Sequence, residues 1–476
     1  MSTTEEKPDR ESGHRKDSYR PGSSISAWHP EDPSFWESTG RRVANRNLWV
    51  SVPALLLAFV VWQVWSVTVV QLSKVGFTYS DSQKFWLTAI PGLTGGAGRL
   101  VYTFVGPMVG ERRWTAFSTI ILVGPLLWLG FAVQDTSTPY IVMVAIAALC
   151  GIGGANFSSS MVNIGFFFPK AKKGNANGIN GGLGNLGVSV VQLVAPLVIT
   201  AAVLGPPAGG PHQQKDGTDV WLQNGAFLWI PLLVIMALLA WFLMNDLKVA
   251  AAPFSKQKII FRRKHNWVMT LLYVGTFGSF IGFASALPNL INTTFTPINP
   301  DYSATKYAWV GPFIGALTRW LGGWLGDKVG GARCTMISFV GMAASIIVVI
   351  NALPAGGDDG NFWLFYGGFL AAFFFSGIGN GSTFRQIPVI FLNQHRAAAA
   401  GQGEQALEEA RKQAEMEAGA VTGFSASIAA FGFFFIPAMF ALFPVTSSLW
   451  VFIGFYAVCL VVCWWYYARK GAEAPS

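Results

Sequence analysis

From Leu48 to the end, the chain is a succession of apolar stretches separated by short polar segments. Each stretch is close to the ~20 residues that a helix needs to cross a bilayer. The pattern predicts twelve spans, over 48–71, 84–109, 115–133, 139–167, 177–203, 221–244, 267–292, 304–325, 334–353, 362–390, 420–443 and 448–468. A basic segment, Asn245–Asn266, divides them six and six. The expected organisation is a hydrophilic tail (1–46), a six-helix bundle (47–244), a linker (245–266), a second six-helix bundle (267–469) and a short tail (470–476). Residues 1–46 hold eight Lys/Arg and no short apolar run before a cleavage site, so they predict a tail and not a signal peptide. The fold class expected is an all-α membrane protein.

Charge sharpens the picture. Only 12% of the 476 residues are charged, roughly half the share of a soluble protein. The net charge of +9 is unevenly placed. With both tails and the linker on one side, that side holds 26 of the 33 Lys/Arg. The other side holds Lys74, Lys84, Lys215 and Lys306. Positive charge stays inside, so the first side is expected to be cytoplasmic, with both termini there. The basic balance is thus a topology signal, and no nucleic-acid partner is expected. Cys150, Cys334, Cys459 and Cys463 show no CxxC or Cys/His spacing, so neither disulfide nor metal nor other cofactor is expected.

The halves repeat each other. GAGRLVYTFVGPMVGERR closes the second span and GALTRWLGGWLGDKVGGAR the eighth. Arg99 and Arg319 are each followed by Gly at +7 (Gly106, Gly326) and at +11 (Gly110, Gly330). Two six-helix halves in the same topology are the layout of the major facilitator superfamily. The segment 322–333, GGWLGDKVGGAR, resembles that superfamily's loop signature.

Arg99, Arg319 and Arg385 are the three Lys/Arg within apolar runs. A charge in mid-bilayer costs about 2.5–3.5 kcal/mol on insertion scales, so it needs a reason. Arg99 follows Pro91 and Gly95 at four-residue spacing, and Arg319 follows Gly311 and Gly315. This spacing predicts room above each guanidinium. A structural arginine would pair with a carboxylate, yet no Asp or Glu stands well inside a predicted span. Two symmetry-related arginines without acidic partners point to a bound anion, and a guanidinium fork suits a flat oxyanion. Arg385 is expected to reach the interface near a helix end in a structural role. Tyr273, Phe277 and Phe280 share a helix face, a pattern that plain packing also produces.

The fifth span begins GNANGINGGLGNLGVSVVQ, with Gly174, Gly178 and Gly182 at i+4 intervals and Gly181, Gly184 and Gly187 beside them. Close packing accounts for part of this. Each interior glycine also weakens a helix by about 1 kcal/mol relative to Ala, which predicts that something approaches or slides along the backbone. Asn185 and Gln192, seven residues apart, are polar on this helix, and an amide N–H suits an anion.

The segments GIGGANFSSSMVNIGFFFP (151–169) and NGINGGLGNLGVSVVQLVAP (177–196) resemble the nitrate signature of the nitrate/nitrite porter family. The similarity to its bacterial antiporter-type members covers nearly the whole chain, including WHPEDPSF (28–35), RRWTAFST (112–119), QDTSTPY (134–140) and TFGSFIGF (276–283). The resemblance implies a nitrate site made by Arg99 and Arg319, with Asn185 and Tyr273 as further donors and Phe157 and Phe277 flanking the anion plane. On span 11 the chain departs from the family: Ala426, Ala429 and Phe433 replace a Ser and two glycines, which bears on the contact between spans 5 and 11.

The resemblance implies a monomeric transporter in the bacterial inner membrane that exchanges nitrate for nitrite. His14, His29, His212, His265 and His395 are placed in tails or loops, and Asp135, Asp246 and Asp327 at helix ends or in loops, so no proton carrier is expected inside a span. Nitrate/proton symport is the alternative coupling. A nitrate sensor is the alternative class, and it lacks an appended signalling domain. No nucleophile, metal cluster or phosphate loop suggests an enzyme. The charged stretch 402–419 reads as a solvated loop helix.

Overall fold

The structure, a computed structural model, describes residues 19–214, 217–248 and 258–476. Residues 1–18 of the tail with His14, Lys215, and 249–257 of the linker lie outside the described residues. Twelve long helices follow one another: α1 (Arg41–Leu72), α2 (Asp81–Val109), α3 (Glu111–Ala132), α4 (Tyr140–Phe167), α5 (Lys170–Val198), α6 (Asn224–Leu243), α7 (Lys264–Thr294), α8 (Val310–Val329), α9 (Gly331–Ala352), α10 (Phe362–Ala398), α11 (Glu404–Leu442) and α12 (Val445–Ala468). Among the described residues, ten segments are long and apolar enough to cross a membrane. The two others are α2 and α8, which carry Arg99 and Arg319.

The repeated glycines do identical work in the two halves. α2 ends at Val109, Gly110 turns with φ +103°, and α3 starts at Glu111. α8 ends at Val329, Gly330 turns with φ +99°, and α9 starts at Gly331. With ψ of +127° and +133° both glycines lie outside the left-handed helical well, in a region where a side chain costs of order 1–3 kcal/mol. Around Gly330 there is space, whereas a Cβ on Gly110 would sit 2.7 Å from Asp246 Oδ1. Gly330→Ala should therefore lower stability by about 1–3 kcal/mol, and Gly110→Ala by more. Thermal unfolding in detergent measures both, and an unchanged Gly330→Ala midpoint would show that the turn tolerates a side chain.

Helix ends differ from the sequence expectation where polar residues extend a helix beyond the apolar run. α1 starts at Arg41, within the expected tail. α11 starts at Glu404 and not at 420, so the stretch 402–419 is helical as expected but is the first part of α11 and not a separate loop helix. Most of the stretch is exposed, as a solvated helix would be, but one face is not: Ala410, Ala414, Glu417 and Ala418 are buried. Glu417 takes both branches of the Arg263 fork, Nε at 2.7 Å and Nη2 at 2.8 Å, and lies 3.4 Å from His395 Nε2. Two histidines expected in loops are helical: His395 in the last turns of α10, and buried His265 in the first turn of α7, 2.9 Å from Tyr467 Oη. Arg385, expected near a helix end, stands in the interior of α10, because that helix runs on to Ala398, and it pairs with Asp327 of α8.

The tail is packed from Tyr19 onward. Ser24–Ile25 pairs in parallel with Asp246–Leu247. Trp28 and Trp36 are buried against Phe167 and Phe168 at the end of α4. Asn245 ties the pieces together: its N–H donates to Asn47 Oδ1 (2.8 Å), and its amide donates to the Arg20 and Ser23 carbonyls. Most polar side chains of the tail stay exposed, and the buried amides of Asn47 and Asn245 find partners in the tail, the linker or α1. The last residues also pack: the Ala332 N–H donates to the Ser476 carbonyl, and Glu473 pairs with Lys264 and His265.

The halves meet chiefly on the side away from the linker, the far side. There Ser82 Oγ donates to the Ala441 carbonyl, Ser189 Oγ to the Trp309 carbonyl and Gln192 Nε2 to the Ala284 carbonyl. The Trp62 ring stacks on Phe433 at 4.7 Å. On the linker side, Cβ atoms added to Gly174, Gly178 and Gly182 of α5, or to Gly419 and Gly423 of α11, would meet nothing within 4 Å. The Lys170–Glu415 ion pair (2.9 Å) crosses between the halves there.

Candidate functional site

Arg99 is fully buried on α2. Its Nε donates to the Gly154 carbonyl and its Nη1 to the Ala426 carbonyl, each at 2.9 Å. The first acceptor exists because α4 tightens into a 3₁₀ turn over Gly151–Ala155. Glycine is required there: a Cβ on Gly153 would lie 2.4 Å from the Ala58 carbonyl oxygen, and one on Gly154 2.5 Å from the Trp62 ring. α1, α2 and α4 thereby approach closely enough to box the guanidinium. Its Cζ lies 4.6 Å from the Phe157 ring centre, 5.0 Å from Trp62, 5.4 Å from Phe277 and 5.9 Å from Phe59. Ring faces attract a desolvated cation by about 2 kcal/mol or more in such settings, which partly offsets the missing counter-ion.

Arg319, also buried, donates from Nη2 to Tyr273 Oη at 3.3 Å, and its Cζ lies 5.2 Å from the Phe384 ring. Tyr273 is the last α-helical residue before a π-helical turn, Val274–Gly278, in the middle of α7. Such turns reset side-chain register and recur at functional sites. Here the turn lays Tyr273 and Phe277 parallel, at 5.5 Å and 12°. Phe277 in turn faces Phe157 at 6.5 Å and 25°. Arg99, Phe157, Phe277, Tyr273 and Arg319 thus form one continuous group across the two halves.

Asn185 lies on α5 with both amide atoms buried and unpartnered. One turn earlier, a Cβ on Gly181 would touch the Phe157 ring at 3.2 Å, which puts this stretch of α5 beside the aromatic group. Arg99 Nη2 and Arg319 Nη1 are also buried without partners. Among the described residues, no carboxylate lies within ion-pair distance of either arginine. Buried donors are almost always satisfied, so the unfilled guanidinium N–H groups of Arg99 and Arg319 are able to take an acceptor carrying negative charge. All six sequence candidates are therefore buried, and five of them touch in series.

The room expected above the guanidinia is filled. Gly95 admits Trp62, and Gly311 and Gly315 admit the Phe373 and Phe280 rings. On α5, the packing glycines are Gly184 and Gly187, whose added Cβ atoms would clash with Leu55 and the Leu56 carbonyl. Gly174, Gly178 and Gly182 face open space that leads along the helix toward Asn185. The departures on α11 sit elsewhere: the Ala426 carbonyl serves Arg99, the Ala429 carbonyl faces Gly278, and Phe433 covers Trp62. Trp62, Phe59 and Phe384 escaped the sequence reading, since aromatic residues in uniformly apolar runs carry no periodic mark.

Residues 48–404 match the Major Facilitator Superfamily model. The chain is 46% identical over 450 residues to the "Nitrate/nitrite transporter NarU" of Escherichia coli, covering 93% of this chain and 96% of that one. It is 41% identical over 464 residues to the "Probable nitrate/nitrite antiporter NarK2" of Thermus thermophilus, covering 95% and 98%. Among solved structures it superposes on a D-xylose-proton symporter with TM-score 0.61 at 15% identity, covering 89% of this chain and 97% of that one. Such low identity speaks for the fold alone. The sequence matches go further, and with them the chain belongs to the major facilitator superfamily, in the family of the nitrate/nitrite transporters.

Proposed function

We propose that this protein exchanges nitrate for nitrite across the membrane by alternating access, without a coupled proton. The observation that carries the reading is the pair of buried, unpartnered guanidinium nitrogens, Arg99 Nη2 and Arg319 Nη1, one in each half and joined through Phe157, Phe277 and Tyr273, with no carboxylate beside either among the described residues. A flat anion between them accepts from both forks, with Tyr273 and the Asn185 amide as further donors and the Phe157 and Phe277 rings against its faces. The relatives named above are nitrate/nitrite transporters, and one is an antiporter by name. Counterflow of labelled nitrite against nitrate in proteoliposomes tests the reading, and its absence overturns it.

Proton coupling would need a titratable group at the site. The buried acids and histidines stand elsewhere. Glu417 is held by Arg263 and His395, His265 contacts Tyr467 and Glu473, and Glu111 lies at the start of α3 near Asp246. None contacts either site arginine, which supports exchange over symport.

The same proposal places the linker side, with both termini, in the cytoplasm, and takes a monomer as the working unit with no nucleic-acid partner. Cysteines at Glu37, on the linker side, and at Asp301, on the far side, sit at exposed positions, and the four native cysteines are buried. In whole cells an impermeant thiol reagent should label position 301 and spare position 37. The opposite pattern reverses the orientation.

A further inference from the structure

We propose that Gln63 and Gln192 form a second anion-contact station, on the far side of the arginine pair, used when that side opens. The inference rests on the anion site proposed above. Three helices carry both layers. On α1 Gln63 follows Phe59 by four residues; on α5 Gln192 follows Asn185 by seven; on α7 Ala284 follows Phe277 by seven. These steps keep each pair on one helix face, one or two turns farther toward the far side.

The group is polar in a place where packing alone would select apolar side chains. Gln63 is fully buried, and neither atom of its amide has a partner. Gln192 is buried too. Its Nε2 donates to the Ala284 carbonyl at 2.7 Å and lies 3.3 Å from Ser66 Oγ, while its Oε1 has no partner. Ser66 Oγ donates to the main-chain carbonyl of Gln63, one turn back on α1, so the Gln192 amide packs against the same stretch of α1 that carries Gln63. Buried amides left unsatisfied cost free energy and are rare unless another state or ligand satisfies them.

The Gln192–Ala284 bond joins the two halves where they are sealed. Parting the halves on the far side breaks it and frees an N–H₂ group two turns above Asn185. Gln63 Nε2 is free already. Two amide donors then face an anion that has left, or has yet to reach, the arginines. When the far side closes, the Ala284 carbonyl competes for the Gln192 amide, and the anion is passed inward. The chemistry selects a small oxyanion able to accept several N–H bonds, and it needs no charge on the protein at this level.

The test is sidedness. Gln63→Leu and Gln192→Leu keep size and remove the amide. In proteoliposomes of known orientation, nitrate counterflow should show KM at the far face raised roughly tenfold, the worth of one or two lost hydrogen bonds. KM at the linker face should stay within about twofold. Gln192→Glu, which adds an acceptor and negative charge, should raise the far-face KM more than Gln192→Leu. Equal changes at both faces, or none, overturn the proposal and leave a purely structural or water-filled cluster. Arg99→Lys separates this result from failure of the main site, because it should weaken both faces together whatever the glutamine variants do.

Discussion

Arg99→Lys and Arg319→Lys are each expected to lower nitrate affinity by about 2–3 kcal/mol, roughly 30- to 150-fold, although the charge is kept. In Arg99, Nε and Nη1 are committed to the Gly154 and Ala426 carbonyls, and Nη2 remains for the anion. One guanidinium thus anchors itself and binds at once, because its donors point in fixed, divergent directions. A lysine ammonium must choose. If it bonds the carbonyls it leaves the anion, and if it meets the anion it orphans two carbonyls in a dry site. In Arg319 the same division holds between Tyr273 and the free Nη1. Calorimetry of nitrate binding to purified protein measures the loss, with size-exclusion profiles confirming the fold. Parent-like affinity in both lysine forms would refute the two-arginine site.

Uptake of nitrate into empty vesicles should be near zero, and loading the vesicles with nitrate or nitrite should restore it. The reason is electrostatic. Two guanidinia about 8 Å apart at an effective dielectric of about 20 repel by roughly 2 kcal/mol, and by more in a drier cavity. Closing the halves around an unoccupied site brings the arginines together against that repulsion. A bound anion reverses the sign of the dominant interaction, so the closed state becomes accessible when loaded. A carrier that cannot return empty must return with a second anion, and nitrite has the same charge and a similar flat shape. An inward proton gradient should leave the rate unchanged, since none of the buried acids or histidines contacts the arginines. Robust gradient-driven uptake into empty vesicles would establish symport instead.

The linker-side half of the molecule suggests how the halves move. Gly174, Gly178 and Gly182 have room for a side chain here, so close packing in this conformation does not explain them. Gly184 and Gly187, by contrast, are needed now, against α1. One stripe therefore serves two tasks: permanent packing toward α1, and free space toward α11 that closing can use. The Lys170–Glu415 pair already spans that space at its rim.

Much of this was legible in the sequence, for reasons that are local. A bilayer needs about 20 apolar residues per crossing, so ten of the helices follow from hydropathy alone, while α2 and α8, each carrying an arginine, are marked by the repeat. Burying an arginine is costly, so Arg99 and Arg319 stood out against their apolar surroundings. The paired Gly110 and Gly330 followed from the repeat. The rest was decided by tertiary structure. Helix starts such as Arg41 and Glu404, the latter after Gly403 with φ +95°, lie in polar sequence, where hydropathy is silent. Whether His265, His395 and Glu417 are solvated or buried depends on which helices surround them. The π-helical turn that aligns Tyr273 with Phe277, and the 3₁₀ turn that offers the Gly154 carbonyl to Arg99, arise from packing between helices. So does the aromatic box of Phe59, Trp62, Phe157 and Phe277, drawn from three helices. Hydropathy reports how each segment meets the membrane. Only the folded chain fixes which faces meet one another, because the lipid tails reward all apolar faces alike.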